Sequence, residues 1–159
     1  MAGDPTDIRA WQRLSERITT SGRLQEPDPA RLAEIGVRHV INLAMPDHPE
    51  ALPGAEQAFA AQGIGYTHIP VPFAAPEEAH YAAFTQALEQ AEGPVHVHCI
   101  MNWRVSAFFY RYNRDACGMP EAEARALMQQ HWSPEENGHP DAPTWAAFIL
   151  RRAQDEREK

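Results

Sequence analysis

The segment Gly93-Pro94-Val95-His96-Val97-His98 constrains the fold more than any other part of the chain. Upstream, Pro76–Glu92 carries Tyr81, Phe84 and Leu88 at helical spacing. Downstream, Val105, Phe108, Phe109 and Tyr112 repeat that spacing. Gly93-Pro94 ends the first helix, and Val95–His98 between the two reads as a strand. A strand between two apolar helices is the unit of a parallel sheet, whose strands need helical crossovers.

The same alternation extends along the sequence. Pro29–Ile35 reads as a helix capped by Gly36, Val37–Leu43 as a buried strand, Pro49–Gln62 as a helix ended by Gly63, and Tyr66–Val71 as a strand. Pro120–Trp132 is a helix with proline in its first turn. A loop over 133–143 leads to a final helix, Thr144–Asp155, capped by Thr144, with a polar tail over 153–159. At the other end, 1–24 reads as a helix over Asp4–Arg17 and a strand or hairpin, Ile18–Leu24, turning at Ser21-Gly22. The expected architecture is α/β: one domain over residues 1–159, with a mostly parallel central sheet of about four to five strands and helices on both faces. In such sheets ligands bind at the carboxyl ends of strands.

Charge narrows the partners. Fourteen Lys and Arg stand against 22 Asp and Glu, a formal net charge of −8. Nucleic acid and anionic membrane surfaces are therefore not expected partners. No apolar run approaches membrane-spanning length, and MAGDPTDIRAWQRL lacks a secretory h-region. Two cysteines, Cys99 and Cys117, make no disulfide framework, so the expected setting is the reducing cytoplasm.

The chemistry concentrates at the end of the Val95–His98 strand. Cys99 follows it, and five residues later Arg104 opens a helix. A short loop curling into a helix N-terminus turns backbone N–H groups inward, and with the helix dipole they form an anion cradle. Arginine adds a planar fork that grips a tetrahedral oxyanion. A cysteine at the floor feels the same field, which favours its thiolate as a nucleophile. Cys117 has no such context and reads as inert. His96, His98 and Cys99 fall short of a ligand set with ordinary metal spacing, so neither metal nor cofactor is expected. His131 and His139 read as solvated, and Arg111 and Arg114 as cover for a helix surface. Trp103 has two open readings, packing under the loop or rimming the pocket.

This segment resembles the phosphate-binding loop of the protein tyrosine phosphatase superfamily, His-Cys-x5-Arg followed by Ser or Thr. His98, Cys99 and Arg104 match in type and order, but the spacing is Cys-x4-Arg and the loop lacks the usual glycine. A small bacterial branch of dual-specificity-like proteins, some fused to sulfur-metabolism enzymes, has the shorter loop. The order of Ser21-Gly22, VRHVINL, Gly63–Tyr66 before HIPV, and Trp132-Ser133-Pro134 before Trp145 resembles that branch too.

The resemblance implies a metal-independent phosphomonoester hydrolase acting through a phosphocysteine on Cys99. Arg104 and the backbone of Ile100, Met101, Asn102 and Trp103 would hold the phosphate. His98 would orient the loop and tune Cys99, Ser106 would assist the leaving thiolate or face its helix neighbours, and Asn42 would support the loop. The resemblance also implies a general-acid aspartate near Val71–Pro76, yet no aspartate occurs between Asp47 and Asp115. Glu77, Glu78 and Asp47 are the substitutes. The expected partner is a phosphate-like oxyanion or a phosphorylated substrate. Two alternatives stand beside this reading. One is a rhodanese-like sulfurtransferase, which also pairs a loop cysteine with an arginine; the other is a phosphate-binding pseudophosphatase.

Overall fold

The computed structural model describes residues 3–152. Five strands form one sheet in the order β1-β2-β5-β3-β4: β1 Gln12–Arg13, β2 Ile18–Ser21, β3 His39–Asn42, β4 Gly65–His68 and β5 Val95–His98. The pairs β2·β5, β3·β5 and β3·β4 are parallel, and only β1 runs antiparallel, on β2. The sheet is thus mostly parallel, as the alternation of elements implied. The central strand is β5, with Ser21 and Asn42 both in register with His98.

Side-chain alternation along β5 builds two cores. Val95, Val97 and Cys99 join Ile41, Phe84, Phe108 and Trp145 on the face covered by α3 (Glu78–Gln90), α4 (Trp103–Asp115), α5 (Glu121–Gln129) and α6 (Ala142–Leu150). On the opposite face Val40 packs with Leu32, Phe59 and Ile64, under α1 (Asp28–Glu34) and α2 (Ala55–Ala61).

Several expected boundaries change. Asp4–Arg17 is not a helix. Ala10 takes a left-handed conformation (φ 53°), which a helix cannot continue through. Asp4 instead clamps Arg13 through two hydrogen bonds (2.6 and 2.8 Å), and Trp11 stacks on His96 at 5.0 Å. The hairpin exists, but its turn lies between Arg13 and Ile18, where the Leu14 N–H donates to the Ile18 carbonyl (2.9 Å). Gly22 has another purpose: a Cβ there would stand 2.5 Å from the Ile100 carbonyl oxygen, so only glycine lets this backbone approach the loop after β5.

The helix expected from Pro49 begins at Ala55, after the left-handed Gly54 (φ 65°). The strand expected through Val71 ends at His68, because Pro70 and Pro72 bring no N–H; Ile69 and Val71 still donate to the Asn42 and Leu43 carbonyls. The last helix starts with Asp141, not Thr144, at its cap position and ends at Leu150; beyond residue 152 the expected continuation lies outside the described residues.

Arg111 and Arg114 do not cover a surface. Arg111 is fully buried, bidentate to Glu78 (2.7 and 2.8 Å) and over the Tyr81 ring at 4.1 Å. Arg114 donates to the Ile149 and Arg151 carbonyls (2.8 and 2.7 Å), closing the C-terminus of α6. The side chain of Glu78 is 22% exposed, and that of Arg111 not at all. Replacing Glu78 by alanine strands a buried guanidinium, and the expected loss is near the lower end of about 3–5 kcal/mol. Urea unfolding of Glu78→Ala checks this, and a loss below about 1 kcal/mol would mean the pair is screened by solvent.

Candidate active site

The site grows from the C-terminal end of β5. Central strands held on both sides leave little freedom at their ends, and the Leu43 N–H pins the His98 carbonyl at 2.9 Å. Cys99 follows, fully buried, and the chain crosses Ile100–Asn102 into α4. Asn102 makes the turn. It holds φ 65° and ψ 9° at the N-cap position of α4, a left-handed conformation that asparagine tolerates better than most residues. The glycine missing from the sequence pattern is thus replaced by a residue of similar backbone licence. Its side chain adds what glycine cannot: the Asn102 amide donates to the Ala10 carbonyl (2.9 Å) and to the Thr20 hydroxyl (3.0 Å), tying the loop to the N-terminal strands.

Among the described residues, no backbone N–H from Ile100 to Arg104 has a hydrogen-bond acceptor. The first turn of a helix leaves such donors free for an anion. The loop is braced from outside. The Ile100 carbonyl accepts from the Arg23 N–H (2.9 Å) and from the Arg9 guanidinium (3.3 Å). Glu50 pairs with both arginines at 2.9 Å. None of these three bracing residues carried a sequence signal, because their spacing follows no motif.

Arg104 is nearly buried. Its Nε donates to the Val71 carbonyl (2.7 Å), and its guanidinium lies 5.3 Å from the centre of the Phe73 ring. That leaves its two terminal amino groups without a protein partner among the described residues. The segment expected to bring an aspartate brings instead a carbonyl and an aromatic ring that aim the arginine. Beside it is a cavity of about 300 Å³. Ile100, Met101, Trp103 and Arg104 line it from the loop and α4, Phe73 from the segment after β4, and His48 and His139 from two surface loops. Cys99 and Asn102 lie behind this wall. A larger open groove of about 660 Å³, between β4 and α3, has no cysteine among its lining residues.

The remaining expected residues divide clearly. Trp103 stacks flat on Trp132 (4.8 Å, 3°) and also lines the cavity. Ser106 faces its helix, donating to the Trp103 carbonyl (3.2 Å), and borders a separate small cavity. Asn42 holds the turn after β3, donating to the Tyr66 hydroxyl (3.0 Å) and accepting from the Ala44 N–H (2.9 Å). None of the three carboxylates proposed as general acid lines the cavity. Glu77 caps α3, its N–H donating to His80 (3.0 Å). Glu78 is committed to Arg111, and Asp47 is exposed. Among the described residues no group of three His, Cys, Asp or Glu is placed to hold a metal ion.

Behind the loop lie two buried histidines. His96 bonds the Thr19 and Ser21 hydroxyls through its two ring nitrogens (2.8 Å each), and burial pushes it far below the ordinary histidine range. Among the described residues, His98 has no hydrogen-bond partner for either nitrogen. Burial lowers it to about 4, and the nearby Cys99 backbone opposes the shift only in part. It is therefore uncharged at neutral pH, and it can act on Cys99 only as a neutral ring.

Comparison with known proteins agrees with this architecture. Residues 9–110 match the model of the phosphatase-like domain of beta-lactamase hydrolase-like proteins. The chain belongs to this family. The beta-lactamase hydrolase-like protein of Agrobacterium fabrum (strain C58) is 40% identical over 91 residues, 55% of this chain and 21% of that protein. The one from Xylella fastidiosa (strain Temecula1) is 36% identical over 122 residues, 74% of this chain and 28% of that protein. The chain thus spans between a fifth and a third of these curated relatives.

Among solved structures, a DUF442 protein of Shewanella putrefaciens CN-32, described as a candidate phosphatase, superposes with TM-score 0.75 and 29% identity. The match covers 90% of this chain and 92% of that one. TpbA of P. aeruginosa, in complex with phosphotyrosine, shares the fold at TM-score 0.72 and 19% identity, over 98% and 91% of the two chains. The mostly parallel α/β fold expected from the sequence is found, and the family is a phosphatase-like one.

The buried histidines set a pH dependence. Their folded-state values lie below the unfolded value of about 6.5, so the unfolded chain binds protons first as the medium acidifies. Their stabilising contribution is complete above about pH 6.5 and is lost progressively as the pH falls toward His98's folded value of about 4. Urea unfolding at a series of pH values should follow that course, and His98→Gln should flatten it.

Proposed function

We propose that this chain is a cysteine-dependent phosphatase that hydrolyses phosphomonoesters through a phosphocysteine on Cys99. The observation that carries the reading is the set of unpaired backbone N–H groups from Ile100 to Arg104, joined to an aimed guanidinium over a buried thiol. That arrangement suits a trigonal-bipyramidal phosphoryl group, whose equatorial oxygens need donors from several directions at once.

The Cys99 sulfur attacks phosphorus as the bond to the leaving oxygen breaks, and the N–H groups of Ile100, Met101, Asn102 and Trp103 share the phosphoryl charge with Arg104. Water then hydrolyses the phosphocysteine. A phosphorylated phenol is the favoured substrate class: Phe73 and Trp103 give the cavity aromatic walls, and TpbA's complex with phosphotyrosine supports it. The chain's net charge of −8 favours a single phosphate-like anion over a nucleic acid or an anionic membrane. No described helix is long and apolar enough to cross a membrane, and a free nucleophilic thiol suits the cytoplasm.

Turnover is slow in this reading, because a positioned general acid is commonly worth about 10²–10⁴-fold and no carboxylate among the described residues lines the cavity. The test is phosphate release from aryl phosphates without added metal. Activity should be inhibited by vanadate and abolished in Cys99→Ser, and Arg104→Lys should lower kcat/KM by about 10²–10³-fold. Robust thiosulfate:cyanide turnover with none on aryl phosphate would make it a sulfurtransferase. Phosphate binding without any turnover would make it a pseudophosphatase. Either result overturns the reading.

A further inference from the structure

Among the described residues, the cavity beside Arg104 has no carboxylate in its wall, but it has two imidazoles, His48 and His139. Both are held in the same way. The Asp141 N–H donates to Nδ1 of His139 (3.0 Å), and the Glu50 N–H donates to Nδ1 of His48 (2.9 Å). A ring nitrogen that accepts from a backbone amide carries no proton, so in each neutral ring the proton is on Nε2. Two His-Pro-acid segments, His48-Pro49-Glu50 and His139-Pro140-Asp141, thus each bring an imidazole with its Nε2–H to one small cavity.

His139 is the better placed of the two. Its ring stands edge-on to Phe73 (4.8 Å between centres, 82°) and to Trp103 (6.4 Å, 90°). Phe73 in turn lies under the Arg104 guanidinium at 5.3 Å. A single aromatic ring therefore separates His139 from the group that grips the anion. Phe73 and Trp103 fix the plane of the imidazole, and the Asp141 amide fixes its rotation.

We propose that the Nε2–H of His139 donates a hydrogen bond to the leaving-group oxygen and takes the place of the absent carboxylic acid. The proposal rests on the cysteine-phosphatase reading. The S–P bond forms and the P–O bond breaks. The leaving group departs with the electron pair as an oxyanion, which the Nε2–H stabilises, and it then takes a proton from water. His139 keeps its own proton throughout. A donor of this kind supports the departure of phenols better than that of alkyl alcohols, because a phenolate needs less help.

The test compares 4-nitrophenyl phosphate, whose leaving oxygen is already well stabilised, with phenyl phosphate. His139→Phe keeps an aromatic ring against Phe73 and Trp103 but removes the donor, and His139→Ala is a second donor-free variant. Both should lower kcat/KM for phenyl phosphate by about 10²-fold and for 4-nitrophenyl phosphate by less than about tenfold. His139→Gln retains an N–H donor and should recover part of the phenyl phosphate activity. A purely structural role would lower both substrates together.

Parallel losses, no loss, or the same discrimination arising in His48→Phe instead would each overturn the assignment to His139 while leaving a Cys99-dependent phosphatase intact. A wild-type protein inactive on both esters, or one still active after Cys99→Ser, overturns the phosphatase reading together with this one.

Discussion

The carbonyl oxygen of Ile100 is held from outside the loop, by the Arg23 N–H and the Arg9 guanidinium. A peptide unit is planar, with its C=O and N–H pointing in opposite directions. Fixing the Ile100 oxygen outward therefore turns the Met101 N–H inward. That one orientation makes the loop a cradle rather than a turn with its oxygens inside. It depends on Gly22, where a Cβ would meet the same oxygen at 2.5 Å. It depends also on Glu50, which holds the two arginines beside each other. The candidate site is in this sense built from β2's exit and the N-terminal segment as much as from the loop's own residues.

The sequence made the parallel sheet legible because its signals are local. Gly93-Pro94, the apolar spacing of Tyr81, Phe84 and Leu88, and the short strand Val95–His98 each report on their own neighbourhood, and all of these appear in the structure. The N-terminus was misread for the opposite reason. Ile8 and Trp11 have a helix-like spacing, but they are buried by distant partners: Ile8 joins Leu32, Phe59 and Ile64, and Trp11 lies on His96. Tertiary contacts and a left-handed Ala10 outweigh local pattern there. The same blindness hid Arg111 and Arg114, since burial of a charge depends on partners such as Glu78 and the end of α6.

The candidate site was legible in its centre and not at its rim. Cys99, Arg104 and the loop residues between them lie where a strand-to-helix turn must put them. What surrounds them comes from four separate stretches: His48 after β3, Phe73 after β4, Trp132 after α5 and His139 before α6. No spacing rule connects such positions. Asn102 is intermediate. Its left-handed backbone could be inferred from residue type, but its ties to Ala10 and Thr20 could not. The carboxylates suggested by proximity in sequence prove to be occupied or exposed, which shows how little chain neighbourhood says about which groups share a cavity.

Pro70 and Pro72 have an effect beyond ending β4. Along this edge strand the N–H groups of Gly65, Ile69 and Val71 donate inward to β3. Alternation turns the nitrogens between them outward, and past His68 those belong to the two prolines. The open margin of the sheet thus presents no further donors to an approaching chain. A second strand cannot extend the ladder past His68 on this side, and the β1 ribbon at the far margin is only two residues long. The same two prolines flank Val71, whose carbonyl aims Arg104.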